Sequence, residues 1–347
     1  MVASTASCTT TTSTTSTPSA RAARRSRRRR QRYDALGAIS FLLQAIAPIP
    51  DAAAASKRVH AMTSHGQQHP WTFVPHDPGQ SFSCLRDREL CASLGKWGLG
   101  PDHAYLRKFS YDPYMPEYRL RDFVPAFLQD PGVQQALQVL QPNDTWRPMG
   151  PIDTASLRFR PLRTTVVDMT LFDPLFTTGI VRPNGTITKC FDEYVSPDTI
   201  TLIDDAETAE TWMDPSDFVV SDELQRVLVD PTSERYAAFS TSARQELLFA
   251  LLEHMVLGGR VNQFEDELAP YLHAVRTLYK DLVSPSKLPD GTLAVQGMAV
   301  QVVQHESRAG GAALFPMRHR QNFMLVVVDP VRRHVAVWYH ASPNYYQ

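Results

Sequence analysis

The chain has 347 residues, 43% of them hydrophobic and 20% charged, a soluble balance with apolar content enough for one large domain. The net charge of −1 divides unevenly: residues 1–61 hold ten Lys and Arg against Asp34 and Asp51, and subtracting these from the totals of 35 and 36 leaves 25 basic and 34 acidic residues from Met62 onward. A nucleic-acid binder concentrates positive charge on its folded part, so the acidic body excludes that class.

The leader comes first in chain order. Residues 1–20 are mostly Ser and Thr, "RAARRSRRRRQR" places eight arginines between Arg21 and Arg32, and no acid precedes Asp34. That is the composition of an organelle transit peptide, and also of a low-complexity tail. The apolar run "ALGAISFLLQAIAPIP" is too short to span a bilayer and is interrupted by Gln44, Pro48 and Pro50. No other membrane-spanning candidate follows.

From about His69 the texture is globular. "WTFVP" (71–75) predicts a short strand. "SCLRDRELCASLGKWG" (83–98) predicts a helix capped by Ser83, with Leu85, Leu90, Leu94 and Trp97 at helical spacing. "AYLRKFSYD" (104–112) alternates as a strand. "LRDFVPAFLQDPGVQQALQVL" (120–140) predicts two helical pieces broken at Asp130-Pro131-Gly132, and "LRFRPLRTTVVDMTLF" (157–172) a strand. Between Lys189 and Arg226 stand eleven acids and no Lys or Arg. The middle of this stretch, about 196–217, reads as a solvated acidic loop. The adjacent Asp204-Asp205 offers no ordered spacing of oxygen ligands for a metal.

Beyond it the helical signal strengthens. "SDELQRVL" (221–228) opens with Ser221 as N-cap and Leu224 at N3. "SARQELLFALLEHMVLGG" (242–259) is apolar nearly all round, the mark of a buried helix, with Gly258 and Gly259 as its stop. Phe264, Leu268, Tyr271, Val275, Leu278 and Leu282 recur at intervals of 4, 3, 4, 3, 4. The stripe is under three heptads, so it reads as a packing seam and not as an autonomous coiled coil. The period then falls to two, and "LAVQGMAVQVVQ" (293–304), "NFMLVVVD" (322–329) and "RHVAVWYH" (333–340) predict strands. Pro330 suits the second position of a type I turn between the last two. Strands gathered after helices predict an α+β fold, with an antiparallel sheet that includes a C-terminal hairpin packed against a helical segment around residues 221–283. One globular domain is expected over 62–347.

The arrangements that catalysis requires are missing from the sequence. It holds no phosphate-cradling glycine loop, no HExxH helix and no GxSxG elbow. Gly98-Leu99-Gly100-Pro101 lacks the third glycine of a dinucleotide fingerprint. His305-Glu306-Ser307 would face opposite sides of a strand. His254 sits on the apolar helix and reads as a core or boundary histidine, and Cys190 shows no activating base. The four cysteines, Cys8, Cys84, Cys91 and Cys190, are too few for a disulfide scaffold and suit a reducing compartment. A non-enzyme without cofactor or metal is expected.

The order of several segments carries a resemblance. "RLRDFVPAFLQDPGV" (119–133), "KCFDEY" (189–194), "SDELQRVL" (221–228), "LFALLEHMVLGG" (248–259) with "QFEDELAPYL" (263–272), "LYKDLV" (278–283) and "VVDPVRRHVAVWYH" (327–340) together resemble the cilia- and flagella-associated protein 300 family, over roughly Trp71 to His340. The resemblance implies a role in assembling or transporting outer and inner axonemal dynein arms. It implies dynein subunits, cytoplasmic assembly factors and the intraflagellar transport machinery as partners, and cytoplasm and motile cilium as location. It brings no catalytic residue or cofactor. Residues 1–61 are extra to the pattern, which reads as a start near Met62 or an added tail, with plastid or mitochondrial import as the alternative. The acidic stretch is an insertion between "KCFDEY" and "SDEL".

The leading reading is therefore a dynein-arm assembly or transport adaptor. A structural axonemal component and an organelle-targeted enzyme are the alternatives. Large partners are gripped by surface patches with arginine or aromatic anchors. Arg332, Arg333 and His334, in the turn between the last two strands, are the candidate partner-binding residues, against the plainer reading that they only solvate a hairpin. Neither nucleic acid nor membrane is expected as a partner.

Overall fold

The computed structural model describes residues 69–77, 82–152, 154, 157–195, 218–258, 265–304, 313–316 and 319–342. The leader, the acidic stretch and the His305-Glu306-Ser307 cluster lie outside them. In chain order the elements are β1 (Thr72–Pro75), α1 (Arg88–Lys96), β2 (Ala104–Asp112), α2 (Leu120–Gln129), α3 (Pro131–Ala136), β3 (Gln138–Leu140), β4 (Trp146–Pro148), β5 (Leu157–Leu162), α4 (Pro174–Thr177), β6 (Lys189–Val195), β7 (Phe218–Asp222), α5 (Glu223–Val229), α6 (Thr241–Arg244), α7 (Leu247–Leu257), α8 (Ala269–Leu282), β8 (Pro285–Lys287), β9 (Leu293–Val295), β10 (Met298–Gln304), β11 (Phe323–Asp329) and β12 (His334–His340).

Six strands form one antiparallel sheet in the order β1-β2-β12-β11-β10-β5. The sequence of β11, FMLVVVD, is buried at every position. An antiparallel sheet with one wet face alternates apolar and polar; this strand does not, because both faces are covered. Phe323, Leu325 and Val327 join Leu106, Ala336 and Trp338 in a core completed by α1, α5, α7 and α8. Met324, Val326 and Val328 point the other way, with Phe109, Val335, Val337 and Tyr339, toward α2, α3 and β3. The fold is thus α+β as the pattern predicts, and the C-terminal hairpin occupies the centre of the sheet. The stripe on α8 is a packing seam: Tyr271, Val275, Leu278 and Leu282 are all buried.

Several boundaries differ from the sequence reading, each for a local reason. The segment 83–98 is interrupted. Cys84–Arg86 forms a 3₁₀ turn and Asp87, not Ser83, caps α1 by accepting from the Glu89 and Leu90 N–H groups. The Ser83 hydroxyl is diverted to Asp281. Asp222, not Ser221, caps α5, and its carboxylate accepts from Gln225 N–H at 2.8 Å. The apolar helix at 242–259 is two, α6 and α7, parted at Gln245-Glu246. The Glu246 carboxylate turns away to hold Thr165 and, at 3.5 Å, Arg163. The strand at 157–172 stops at Leu162, and Asp168 then caps a 3₁₀ turn, Met169–Phe172. The run 293–304 divides into β9 and β10 at Gly297, where an added Cβ would sit 3.2 Å from Val283 Cγ1. The end of 120–140 is strand β3, not helix. Gly258 ends α7 at φ 69° and ψ −161°, a region open essentially to glycine alone.

Candidate functional site at the C-terminal hairpin

The turn is built from Asp329 outward. Asp329 pairs with His334 across the β11–β12 ladder, leaving Pro330, Val331, Arg332 and Arg333 as the connection. Asp329 Oδ1 accepts the backbone N–H of Val331 and of Arg332, both at 3.0 Å. An aspartate ahead of a proline favours this side-chain turn, because its carboxylate reaches the N–H groups two and three residues on. Arg333 closes the connection with φ 53°, left-handed backbone that is rare for a residue with a Cβ. Its carbonyl accepts from Tyr111 N–H at 2.9 Å, and its guanidinium Nη1 donates to Asp112 Oδ1 at 2.5 Å. The turn is therefore tied to β2 from both main chain and side chain.

The inner side of the turn is polar and buried. Asp329 is 4% exposed, and its Oδ2 accepts from Ser284 Oγ, just after α8, at 2.5 Å. On the neighbouring strand Lys108 lies with its Nζ 4.4 Å from the centroid of the Phe82 ring. Burial lowers its pKa, opposed by the charges of Asp281 and Asp329. Asp281 accepts from Ser83 Oγ at 2.7 Å and from Cys84 N–H at 2.5 Å. Burial raises the Asp281 pKa, but these bonds and Lys108 outweigh it, and the carboxyl ends below its ordinary range. The Ser284–Asp329 bond thus fastens the hairpin just beyond the end of α8, with the charge of Lys108 favoured by both Asp281 and Asp329. His334 stands edge-on to His76, ring centroids 4.9 Å apart. Burial first, then the charges of His76 and Lys108, lowers the His334 pKa, with Asp329 opposing them.

The outer side is open. The side chains of Arg332 and Arg333 are both half-exposed, and Arg332 Nε is no nearer than 3.9 Å to Asp329 Oδ2. Val331 at the tip, Val74 on β1 and Tyr114 just beyond β2 are exposed apolar residues, and Tyr118 is 83% exposed. The structure thus separates the three sequence-predicted residues: Arg332 and Arg333 face solvent, while His334 is half-buried against His76 at the sheet end. Sequence reasoning missed Tyr114 and Tyr118. The signal available was "YDPYMPEY", two tyrosines among prolines beyond a strand with no apolar periodicity to bury them.

The other chemistry-bearing residues resolve plainly. His254 is buried, with its ring stacked on Phe323 at 3.9 Å between centroids. Burial foremost, then His340, Arg320 and Arg160, pushes its pKa to about 3. Cys190 Sγ lies 3.7 Å from the Val220 carbonyl. Among the described residues no three His, Cys, Asp or Glu side chains converge as metal ligands, and no helix is long and apolar enough to cross a membrane. Asp204-Asp205 lies outside the described residues.

The sequence that builds this α+β scaffold and its tied hairpin matches the model of a known family. The model of the cilia- and flagella-associated protein 300 family covers residues 71–340. A Chlamydomonas reinhardtii relative, called cilia- and flagella-associated protein 300, is 33% identical over 275 residues, which is 77% of this chain and 96% of the relative. A Paramecium tetraurelia relative with the same name is 28% identical over 260 residues, 74% of this chain and 89% of the relative. No solved structure matches the chain. The comparisons place it among cilium- and flagellum-associated proteins. It belongs to the cilia- and flagella-associated protein 300 family.

Proposed function

We propose that this chain is a non-enzymatic adaptor that assembles axonemal dynein arms or carries them into the motile cilium, working between the cytoplasm and the axoneme. Its partners on this reading are dynein-arm subunits, their cytoplasmic assembly factors and the intraflagellar transport machinery. Family membership across residues 71–340 is the observation that carries the reading. The hairpin supports it with half-exposed Arg332 and Arg333 beside exposed Val331, Tyr114 and Tyr118. Arginine and aromatic side chains dominate the energetics of protein interfaces.

Deleting the gene in its host and sectioning the cilia tests the reading. Loss of outer and inner arms is the expected result; intact arms with normal beating refute it. Salt extraction separates an adaptor from a structural component: an adaptor leaves with the soluble matrix, while a fixed axonemal part stays with the microtubules. Replacing Arg332 and Arg333 together by Ala is expected to leave the fold intact and weaken recovery of dynein-arm partners, because neither side chain is buried. Unchanged recovery removes the hairpin from the partner surface.

A further inference from the structure

A second surface begins near the base of the hairpin, at Asp281, and runs along α8 away from it. The 3₁₀ turn Cys84–Arg86 and α1 lie against α8. Asp281 accepts from Ser83 and Cys84 at one end, and His273 Nε2 meets Asp87 Oδ2 at 3.2 Å further along. On α8 the exposed positions His273, Arg276 and Lys280 are three and four residues apart, hence on one face. They span about 10 Å at 1.5 Å per residue. Arg86 and Arg88 flank Asp87 and are exposed as well. Four cations and a histidine thus stand exposed on two helical segments that pack against each other.

The carboxylates at this seam are already engaged. Asp87 caps α1 through the Glu89 and Leu90 N–H groups, and Asp281 holds Ser83 and Cys84; Glu89 is the remaining acid, exposed on α1. Among the ion pairs of the described residues none involves Arg86, Arg88, Arg276 or Lys280. This is notable on a body with nine more acids than bases from Met62 onward. Lack of a partner is shared with exposed Arg121, Arg147 and Lys287, whereas Lys96 at the far end of α1 pairs with Glu265 at 2.6 Å; what sets the four apart is their place on two adjoining helical segments. Unpaired like charges repel one another and destabilise the fold slightly. Arg276 and Lys280, one helical turn apart on α8, with Arg86 and Arg88 on the adjoining segment, match a run of carboxylates on an extended chain, which a planar guanidinium binds in bidentate fashion.

We infer that the seam of Arg86, Arg88, Arg276 and Lys280 docks an acidic, extended polypeptide segment of a partner protein. The inference goes beyond the proposed function and does not depend on the hairpin. Such a surface raises the association rate and selects acidic partners, and its binding weakens as salt screens it.

The test is fluorescence anisotropy of a labelled oligoglutamate peptide titrated with the full chain. Saturable binding is expected, weakened about tenfold when Arg276→Glu and Lys280→Glu are combined, and weakened clearly less when the charge reversals are placed at Arg332 and Arg333 instead. Circular dichroism and thermal melting of each variant show that the fold is retained. Arg86→Gln with Arg88→Gln is a milder second pair expected to weaken binding in the same direction. No binding, or equal weakening by the hairpin pair, overturns the inference. So does a gain of about tenfold on deleting residues 196–217, which would make this chain's own acidic stretch the occupant.

Discussion

Replacing Asp329 by Ala tests whether the buried side of the hairpin is structural. The carboxylate, 4% exposed, accepts three hydrogen bonds, from Val331 N–H, Arg332 N–H and Ser284 Oγ. The two backbone donors sit at an exposed turn, where water replaces the lost acceptor, so each costs about 0.5–1 kcal/mol. Ser284 is buried and would be left without its acceptor, at about 1–2 kcal/mol. Asp329→Ala should therefore destabilise the protein by roughly 3 kcal/mol, a large part of the 5–15 kcal/mol typical of a domain. Asp329→Asn keeps an acceptor for the turn and should cost about 1–2 kcal/mol. Urea unfolding followed by tryptophan fluorescence measures both, with the midpoint moving and the slope unchanged. Ser284→Ala combined with Asp329→Ala should cost less than the two single changes summed, since the residues share a bond. A loss under about 0.5 kcal/mol for Asp329→Ala, or strict additivity with Ser284→Ala, would refute the reasoning, because it would mean the knot contributes nothing beyond an ordinary surface turn.

His254 and His340 are buried with pKa values pushed to about 3, chiefly by burial. Each is neutral when folded and takes a proton when unfolded below pH 6.5, so its stabilisation is complete above pH 6.5 and is lost as pH falls from 6.5 toward 3, at about 1.4 kcal/mol per pH unit. His254→Phe keeps the ring on Phe323 and removes an Nε2 that has no hydrogen-bond partner; it should lessen the acid slope between pH 6 and 4 by about that amount per unit, and an unchanged slope in urea titrations would contradict the assignment. The Cys84 thiol is buried and its pKa is driven far upward by burial and by Asp281. It should resist a thiol-specific disulfide reagent at pH 8 in the native protein and react on unfolding, and rapid native labelling mapped to Cys84 by mass spectrometry would contradict its placement. Asp112→Ala releases Arg333 from an exposed pair worth under about 1 kcal/mol. It should leave stability nearly unchanged and maintain or raise recovery of dynein-arm partners, whereas a loss equal to that of Arg332→Ala with Arg333→Ala would show that the ion pair itself is the recognised unit.

The sheet was legible in the sequence because runs of β-branched and aromatic residues leave few alternatives, and β2, β11 and β12 lie where those runs put them. That both sheet faces are covered was also latent in β11, whose seven residues never alternate. What local pattern could not supply were the places where a side chain is called away by a distant partner. Ser83 is a good cap by type, but Asp281, 198 residues on, takes its hydroxyl. Glu246 is a good helix former, but Thr165 and Arg163 draw it into a break between α6 and α7. The site divides in the same way. Asp329, Arg332 and Arg333 are visible as neighbours in sequence, whereas Ser284, Asp112 and Tyr111 join them only through strand register and the end of α8. Nothing local marks the segment around Arg86 as packed on α8, because the seam that joins them is formed by tertiary bonds.

The tying of the turn bears on how it would bind. A free four-residue connection with two arginines would lose backbone freedom on docking, at about 1–2 kcal/mol per residue fixed. Here folding has already fixed it: Asp329 holds two N–H groups of the turn, the Arg333 carbonyl is held by β2, and the base is fastened to Ser284. Only the two long side chains remain to be ordered, at about 0.5–1.5 kcal/mol each. On the proposed reading, buried Asp329 therefore sets the conformation in which the two arginines are presented to a partner. Stability and partner binding should accordingly fall together for Asp329→Ala and separate for Arg332→Ala, which removes a contact group and leaves its presentation intact.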